Sequence, residues 1–254
     1  MGARIHFESA HTAIPSNNIT GNGTINQVAK FTGANVIGDG LITDNGTSVW
    51  NTGGGSLISN TAFGNSALIS NTTGVENVAV GNSALTANTT GGYNTSVGNG
   101  ALKSNTIGIF NNAFGNSALE FVSTNSSNNA FGFRALRLNT GYSNSAFGHL
   151  SLSLTQAGSS NTAFGANSLQ NNIASNNVAV GFEAAYSNTS GISITAIGYQ
   201  ALKSYSGGIG ETTAVGFKAL FSATTGYNND AFGTQSLTNL TTGDRKSTRL
   251  NSSH

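Results

Sequence analysis

The side chains able to do chemistry are few and far apart. The body of the chain carries the histidines His6, His11 and His149 and no cysteine. A transition-metal site needs three or four ligands converging at set spacings, and a hydrolytic triad needs a nucleophile held against its base. Three scattered histidines provide neither and read as surface or turn residues. Asp39 and Asp44 stand beside glycines in "GDGLITDNG", but without the ligand spacing and terminal Glu of a calcium loop. "GNGTIN" from Gly21 and "GGIGET" from Gly207 have the glycines of phosphate loops. They lack the Lys-Ser/Thr of a P-loop and the strand-to-helix setting of a dinucleotide fold, so both read as turns. The many Asn-x-Ser/Thr sequons follow from composition. The expectation is a non-enzymatic chain with no catalytic residue, no cofactor and no metal.

One recurrent set remains. Phe133-Arg134, Phe182-Glu183, Tyr199-Gln200 and Phe217-Lys218 each follow directly on a glycine, at places where earlier copies of the same motif carry Asn-Ser. An aromatic beside a polar or charged residue at a fixed place could form an exposed stacking strip for glycans. It could equally widen the core or seal contacts between chains, and the usual burial of large apolar side chains favours that second reading.

What positions these pairs is a repeat. The glycine of an A-[FVI]-G core recurs at Gly64, Gly81, Gly98, Gly115, Gly132, Gly148, Gly165, Gly181, Gly198, Gly216 and Gly233. The step is 17 residues, shortened to 16 twice and lengthened to 18 once. Two residues before this anchor stands Ala in every copy except Ser96, and four residues after it stands Leu, from Leu68 to Leu237, except at Ala185. A second glycine follows nine or ten residues on, at Gly74, Gly91, Gly108, Gly141 and later positions. A fixed period of this kind marks a repeat architecture.

Mid-unit glycines, β-branched Thr and runs of Asn and Ser oppose helix, whereas short strands joined by Gly/Asn/Ser turns fit. Stacked coils would place each side chain above its own copy every ~4.8 Å, giving Asn and Thr hydrogen-bonded ladders and Phe, Val and Leu apolar ones. The fold class expected is therefore all-β, a repetitive β-solenoid or β-roll of eleven coils. Alternation along "NTAFG" puts Thr and Phe on one strand face and Asn, Ala and Gly on the other. Assigning the bulkier face to the interior gives a core ladder of Phe63, Val80, Val97, Phe114, Phe131, Phe147, Phe164, Val180, Ile197, Val215 and Phe232, joined by Leu68, Leu85, Leu102, Leu119 and Leu136. The face of Ala62, Ala113 and Ala146 is then left outside, small enough for a second backbone to approach.

Burying two apolar side chains per coil contributes about 3–6 kcal/mol against ~1–2 kcal/mol per ordered residue, so association through that small-residue face is expected. With 7% charged residues and 34 Gly, the chain is neither a charged disordered tail nor, lacking Cys, a disulfide framework.

The two ends depart from the pattern. Residues 1–18 form an irregular segment with no apolar stretch of signal-peptide or membrane-spanning type. Residues 19–51 read as a small β module with Gly-Asp-Gly and Asp-Asn-Gly turns, and 52–59 as a joint before the repeats of 60–243. Asp244–His254, "DRKSTRLNSSH", keeps none of the unit spacing. It resembles the translation of a sequencing-library adapter and is expected to lie outside the fold, with the natural C-terminus missing. Without it the chain has 7 basic and 8 acidic residues, a formal −1 in place of +1, so charge lends nucleic acid no support as a partner.

The units "NTAFGNSALISNTTG", "NVAVGNSALTANTTG" and "TAIGYQALKSYSGG" resemble the head repeats of trimeric autotransporter adhesins and related repeats of phage tail fibres. "GTINQVAKFTGANVIGDGLITDNGTSV" is similar to the module that often precedes such repeats in tail-fibre proteins. The resemblance covers about residues 20–243. It implies a homotrimer of left-handed parallel β-rolls, often followed in tail fibres by a self-cleaving chaperone domain. The 17-residue period is longer than is usual in adhesin heads. The leading expectation is a tail-fibre shaft on a virion, supporting attachment to a host-surface glycan or protein receptor, without membrane insertion. The alternative is an adhesin head on a bacterial surface. An ice-binding solenoid is third, because the column Thr61, Val78, Thr95, Asn112 is too irregular for a Thr ladder.

Overall fold

The computed structural model describes residues 30–33, 36–38, 42–44, 49–51, 59–154, 158–208 and 211–249. The chain divides into two units, Met1–Thr52 and Gly53–His254. The first contains two antiparallel pairs, β1 (Lys30–Gly33) with β2 (Val36–Gly38) and β3 (Ile42–Asp44) with β4 (Val49–Asn51). The segment 1–18 and the joint 52–59, apart from Ser59, lie outside the described residues.

The second unit is an all-β solenoid. Its twelve strands, β5 (Thr61–Phe63) to β16 (Ser247–Arg249), form one parallel sheet in strict chain order. Register is that of the repeat: Ala62 pairs with Ala79, Ala146 with Ala163, Phe147 with Phe164. Hydrogen bonds between coils continue beyond the strands, as in Leu68 N to Ala84 O at 2.9 Å and Thr72 N to Thr89 O at 2.8 Å. Each coil is therefore bonded to the next along several sides.

The Phe/Val/Ile column stacks in line as its spacing implies, but it points outward. Phe63 is 58% exposed, Phe164 57% and Ile197 39%, whereas Ala62, Ala113, Ala146 and Ala231 are buried. The interior is built from this Ala column, from a second small column (Ala67, Ala84, Ala101, Ala118) and from the Leu column, with Leu68, Leu85, Leu102, Leu119 and Leu136 fully buried. The assignment of Phe63, Val80, Val97, Phe114, Phe131, Phe147, Phe164, Val180, Ile197, Val215 and Phe232 to the core is thereby corrected. So is the expectation of an outward Ala strip.

The physical reason lies in asparagine. Asn60 shares a strand face with Ala62, and its Nδ2 donates to Gly74 O at 2.8 Å, where Asn71 Nδ2 also donates at 2.9 Å. The Asn60 Oδ1 accepts from the backbone N of Asn77 one coil on, at 2.8 Å. Both Asn columns thus close a corner of the coil from inside, Asn77, Asn94 and Asn111 along one and Asn88 and Asn105 along the other, all buried. An amide that must reach across the coil forces a narrow interior, which Ala fills and Phe would overfill. Desolvated amides are tolerable there because they are hydrogen-bonded.

The anchor glycines stand where two backbones meet. Gly132 has φ +139°, and a Cβ there would lie 2.5 Å from Gly148 O. The chain then turns through left-handed residues such as Ser66 (φ 57°) and Leu68 (φ 53°), and meets another further along the coil at Glu76 (φ 55°). A left-handed Leu costs about 1–2 kcal/mol, which its burial, worth about 1.5–3 kcal/mol, offsets. The shortened coils lose their residue between the second Asn and the second corner: Asn139 Nδ2 donates to Gly141 O and Asn172 Nδ2 to Ala174 O, two residues on in place of three.

Asp244–Arg249 is drawn into the fold, contrary to the expectation that it lies outside. β16 pairs with β15 (Asp230–Phe232), placing Ala231 opposite Thr248. Lys246 N donates to Asn229 Oδ1 at 3.0 Å, continuing the asparagine column. An open parallel edge presents unpaired N–H and C=O groups to whatever chain follows, and Ser-Thr-Arg is compatible with a strand.

Candidate binding surface

The position after each anchor glycine forms an outer column of its own. Its backbone register is continuous: Leu150 N donates to Phe133 O, Gln200 N to Phe182 O and Lys218 N to Tyr199 O, each at 2.9 Å. Early coils place Asn65 and Asn82 here, capped by Ser66 and Ser83 hydroxyls donating to their Oδ1 atoms at 3.0 Å. Later coils place rings. Phe182 stacks on Tyr199 and Tyr199 on Phe217, both at 5.4 Å between centroids, and Phe133 stacks on His149 at 5.3 Å. These rings are 40–45% exposed at Phe133, Phe182, Tyr199 and Phe217, so they do not widen the core. Within a stack each ring covers its neighbour's face, leaving free faces only at the ends.

The polar partners flank the rings. Arg134 lies over the Phe133 ring at 4.8 Å, and Lys218 lies 5.4 Å from the Phe217 ring and 5.2 Å from that of Phe221. Glu183 pairs with Lys203 at 2.7 Å and accepts from Gln200 Nε2 at 2.8 Å. Partial burial pushes the Glu183 carboxyl up, but the hydrogen bonds from Lys203 and Gln200 and the Lys203 charge outweigh it, leaving it below the usual carboxylate range. Burial also pushes the Tyr205 phenol up; its hydroxyl donates to Gly226 O at 2.6 Å.

The structure therefore brings Phe182, Glu183, Tyr199, Phe217 and Lys218 into one continuous surface, with Phe133 and Arg134 on a second stack. Sequence reading named His149 as a surface or turn residue and left it out of this column, although it follows Gly148 as Phe133 follows Gly132; counting from the anchor identifies it. It also passed over the stack of Tyr93 on Phe110, 5.0 Å apart at another corner. Among the described residues no group of three or more His, Cys, Asp or Glu is arranged to hold a metal ion, and no helix is long and apolar enough to cross a membrane. Comparison with protein-family models, curated proteins and solved structures finds no match to this chain.

Proposed function

We propose that the solenoid is a structural fibre segment, the shaft of a phage tail fibre supporting host attachment, and that three chains associate side by side through the column Phe63 to Phe232. One observation carries this reading. Both outward strand positions, from Thr61 and Phe63 to Thr213 and Val215, are free of charged residues, while large apolar side chains such as Phe63, Phe114, Phe164 and Ile197 stand 36–58% exposed. At ~4.8 Å per rung the strip runs about 50 Å. Contiguous apolar surface of that extent marks an interaction site, and identical rings stacked in register suit a parallel copy of the same chain. Phe114, Phe131 and Phe147 already stack 4.7 Å apart, so they present a pre-ordered face. The resemblance to tail-fibre and adhesin repeats supplies the three-fold arrangement and the virion setting.

Mass photometry of the full chain tests it. The expected species has about three times the 25.7 kDa chain mass, and Phe131→Glu with Phe147→Glu reduces it to one chain with unchanged circular dichroism. A folded wild-type monomer at micromolar concentration refutes association through this column.

A further inference from the structure

The two ends of the solenoid are halves of one contact. β5 and β16 are the outer strands of the twelve-stranded sheet, so each has a strand neighbour on one side only. At the first end the edge belongs to "NTAFGNSAL", residues 60–68, which differs from "NNAFGNSAL", residues 111–119, only in having Thr61 where the later motif has Asn112. The later motif is bonded on both edges. Asn111 N donates to Asn94 Oδ1 at 2.9 Å and Gly115 N to Val97 O at 2.8 Å on one side, and Leu119 N donates to Ala135 O at 3.0 Å on the other. The first coil therefore carries, on its outer edge, the groups with which its twin binds the coil before it.

At the other end the receiving groups are in use, and the structure shows by what. Asn229 Oδ1 accepts from Lys246 N at 3.0 Å, Asp230 N donates to Lys246 O at 2.7 Å, and Ala231 pairs with Thr248. Residues 244–249, which keep none of the unit spacing, thus satisfy this edge with backbone groups and a small side chain opposite Ala231. They cover only part of it. The N–H groups of Leu68, Ser70 and Thr72 donate to the next coil at 2.8–3.3 Å, whereas those of Leu237, Asn239 and Thr241, at the same places in the last coil, donate to no further coil among the described residues.

We infer that the last coil is a docking end for the first coil of a second copy of this chain, joined head to tail, and that residues 244–249 are a plug that keeps it closed. In the joint, Ala62 of the second copy replaces Thr248 opposite Ala231. Its Asn60 N donates to Asn229 Oδ1, its Asn60 O accepts from Asp230 N, and its Ala67 and Thr72 carbonyls accept from Leu237 and Thr241 N. The Ala, Asn and Phe columns then run on unbroken. With β16 in place a second copy would sit one layer too far out and leave the far side of the last coil uncovered. A head-to-tail contact does not close on itself, so it lengthens the solenoid, and it is independent of lateral association through Phe63 to Phe232.

Sedimentation velocity and negative-stain imaging of the full chain and of residues 1–243, over micromolar concentrations, test it. The full chain should hold one mass. Residues 1–243 should grow with concentration, in rods that lengthen by about 50 Å per copy, and the Asp230 amide, fast to exchange at dilution, should become protected as they grow. Lys246→Pro with Thr248→Pro, which disrupts β16 without shortening the chain, should lengthen likewise. The joint also sets Thr61 of one copy beside Asp230 of the other, both on the exposed strand face, whereas within its own chain Thr61 pairs with Val78. In residues 1–243, Thr61→Asp should therefore weaken lengthening about tenfold or more and Thr61→Lys should strengthen it, with the difference shrinking as salt is added. Circular dichroism checks that each variant keeps the coil. Phe131→Glu with Phe147→Glu touches neither end, so lengthening should survive it even where lateral association is lost. The inference is overturned if residues 1–243 and the double-proline variant, both folded, keep the mass of the full chain. It is equally overturned if the full chain lengthens as readily as they do, or if Thr61→Asp and Thr61→Lys lengthen alike.

Discussion

Replacing Val122 by Asn should leave the protein about as stable as before, although it puts an amide in place of a fully buried valine. The reason lies in the second asparagine column. Asn88 Nδ2 donates to Asn71 Oδ1 at 2.9 Å, Asn105 Nδ2 donates to Asn88 Oδ1 at 2.8 Å, and the next rung is Val122. The column is broken at this rung, resuming at Asn139, and Asn105 Oδ1 is left buried without a partner. Losing the buried Val costs about 1.5–3 kcal/mol. Supplying the missing donor removes a desolvation penalty of about 1–3 kcal/mol, and a further bond to Asn125 O would contribute about 0.5–1.5 kcal/mol. The two sides cancel to within about 1 kcal/mol. Asn88→Val is the reverse experiment: it strips the donor from Asn71 Oδ1 and the acceptor from Asn105 Nδ2 at once, and should cost about 2–4 kcal/mol. Thermal unfolding followed by circular dichroism should then place Val122→Asn within about 2–4 °C of wild type and Asn88→Val about 4–16 °C below it. Equal destabilisation by both would refute the assignment of the asparagine columns as the element that closes the coil.

Three further outcomes follow from the same geometry. Gly132→Ala, at φ +139° with the next backbone carbonyl 2.5 Å from the new Cβ, should cost on the order of 3 kcal/mol, whereas Gly100→Ala, at φ +65° with nothing nearer than 3.8 Å, should cost about 1 kcal/mol; urea titration separates them. Deleting residues 244–254 removes the acceptor of Asp230 N, now 2.7 Å from Lys246 O, and the Arg245 N–H that donates to Tyr227 O, so hydrogen exchange at Asp230 should accelerate while that at Ala146 stays slow. The Glu183 carboxyl is held below its usual value of 4.5, so its contribution is present above that pH in the folded chain and is lost as pH falls through the lower, folded-state value; a small acid-side decrease in melting temperature should be present in wild type and absent in Glu183→Gln.

The period, the register and the parallel stacking were legible in the sequence because each depends only on which residues recur and at what step. Which strand face turns inward was not. Alternation along "NTAFG" says that Thr61 and Phe63 share one face and Asn60 and Ala62 the other, and it is symmetrical between the two assignments. Ranking the faces by apolar bulk chose Phe63. The structure chose Asn60, whose amide reaches Gly74 O inside the coil, a contact that only the closed turn creates. The left-handed Leu68 was equally hidden, since Leu carries no sequence mark for positive φ as Gly or Asn does. The outer ring column was half legible. The pairs Phe182-Glu183 to Phe217-Lys218 were visible, but the stack of Phe133 on His149 follows only when the register places the two on successive rungs.

The near-absence of charge follows from stacking as well. In a solenoid each side chain faces its own copy ~4.8 Å away, and two like unit charges at that distance repel by roughly 3 kcal/mol at an effective dielectric of 20. A repeat that copied a Lys faithfully would repeat that cost at every rung. Charges are therefore admitted where the repeat has diverged enough to alternate them, and the sequence shows this alternation. Five residues after Gly98, Gly115 and Gly132, on successive rungs, stand Lys103, Glu120 and Arg137, and the last two are joined at 2.7 Å. In the column two after the anchor, Arg134, Glu183 and Lys218 are each separated from the next charge by at least one uncharged rung, Leu150 and Asn167 or Gln200. The positions that never vary in kind are those with neutral partners on both sides: glycine against a backbone carbonyl, Ala against Ala, Leu against the carbonyl of the next coil. The repeated "AFGNSAL" is thus a statement about self-contact, in which every residue must tolerate itself one coil away, and the residues free to depart from it are the ones that face solvent and can meet something other than the chain.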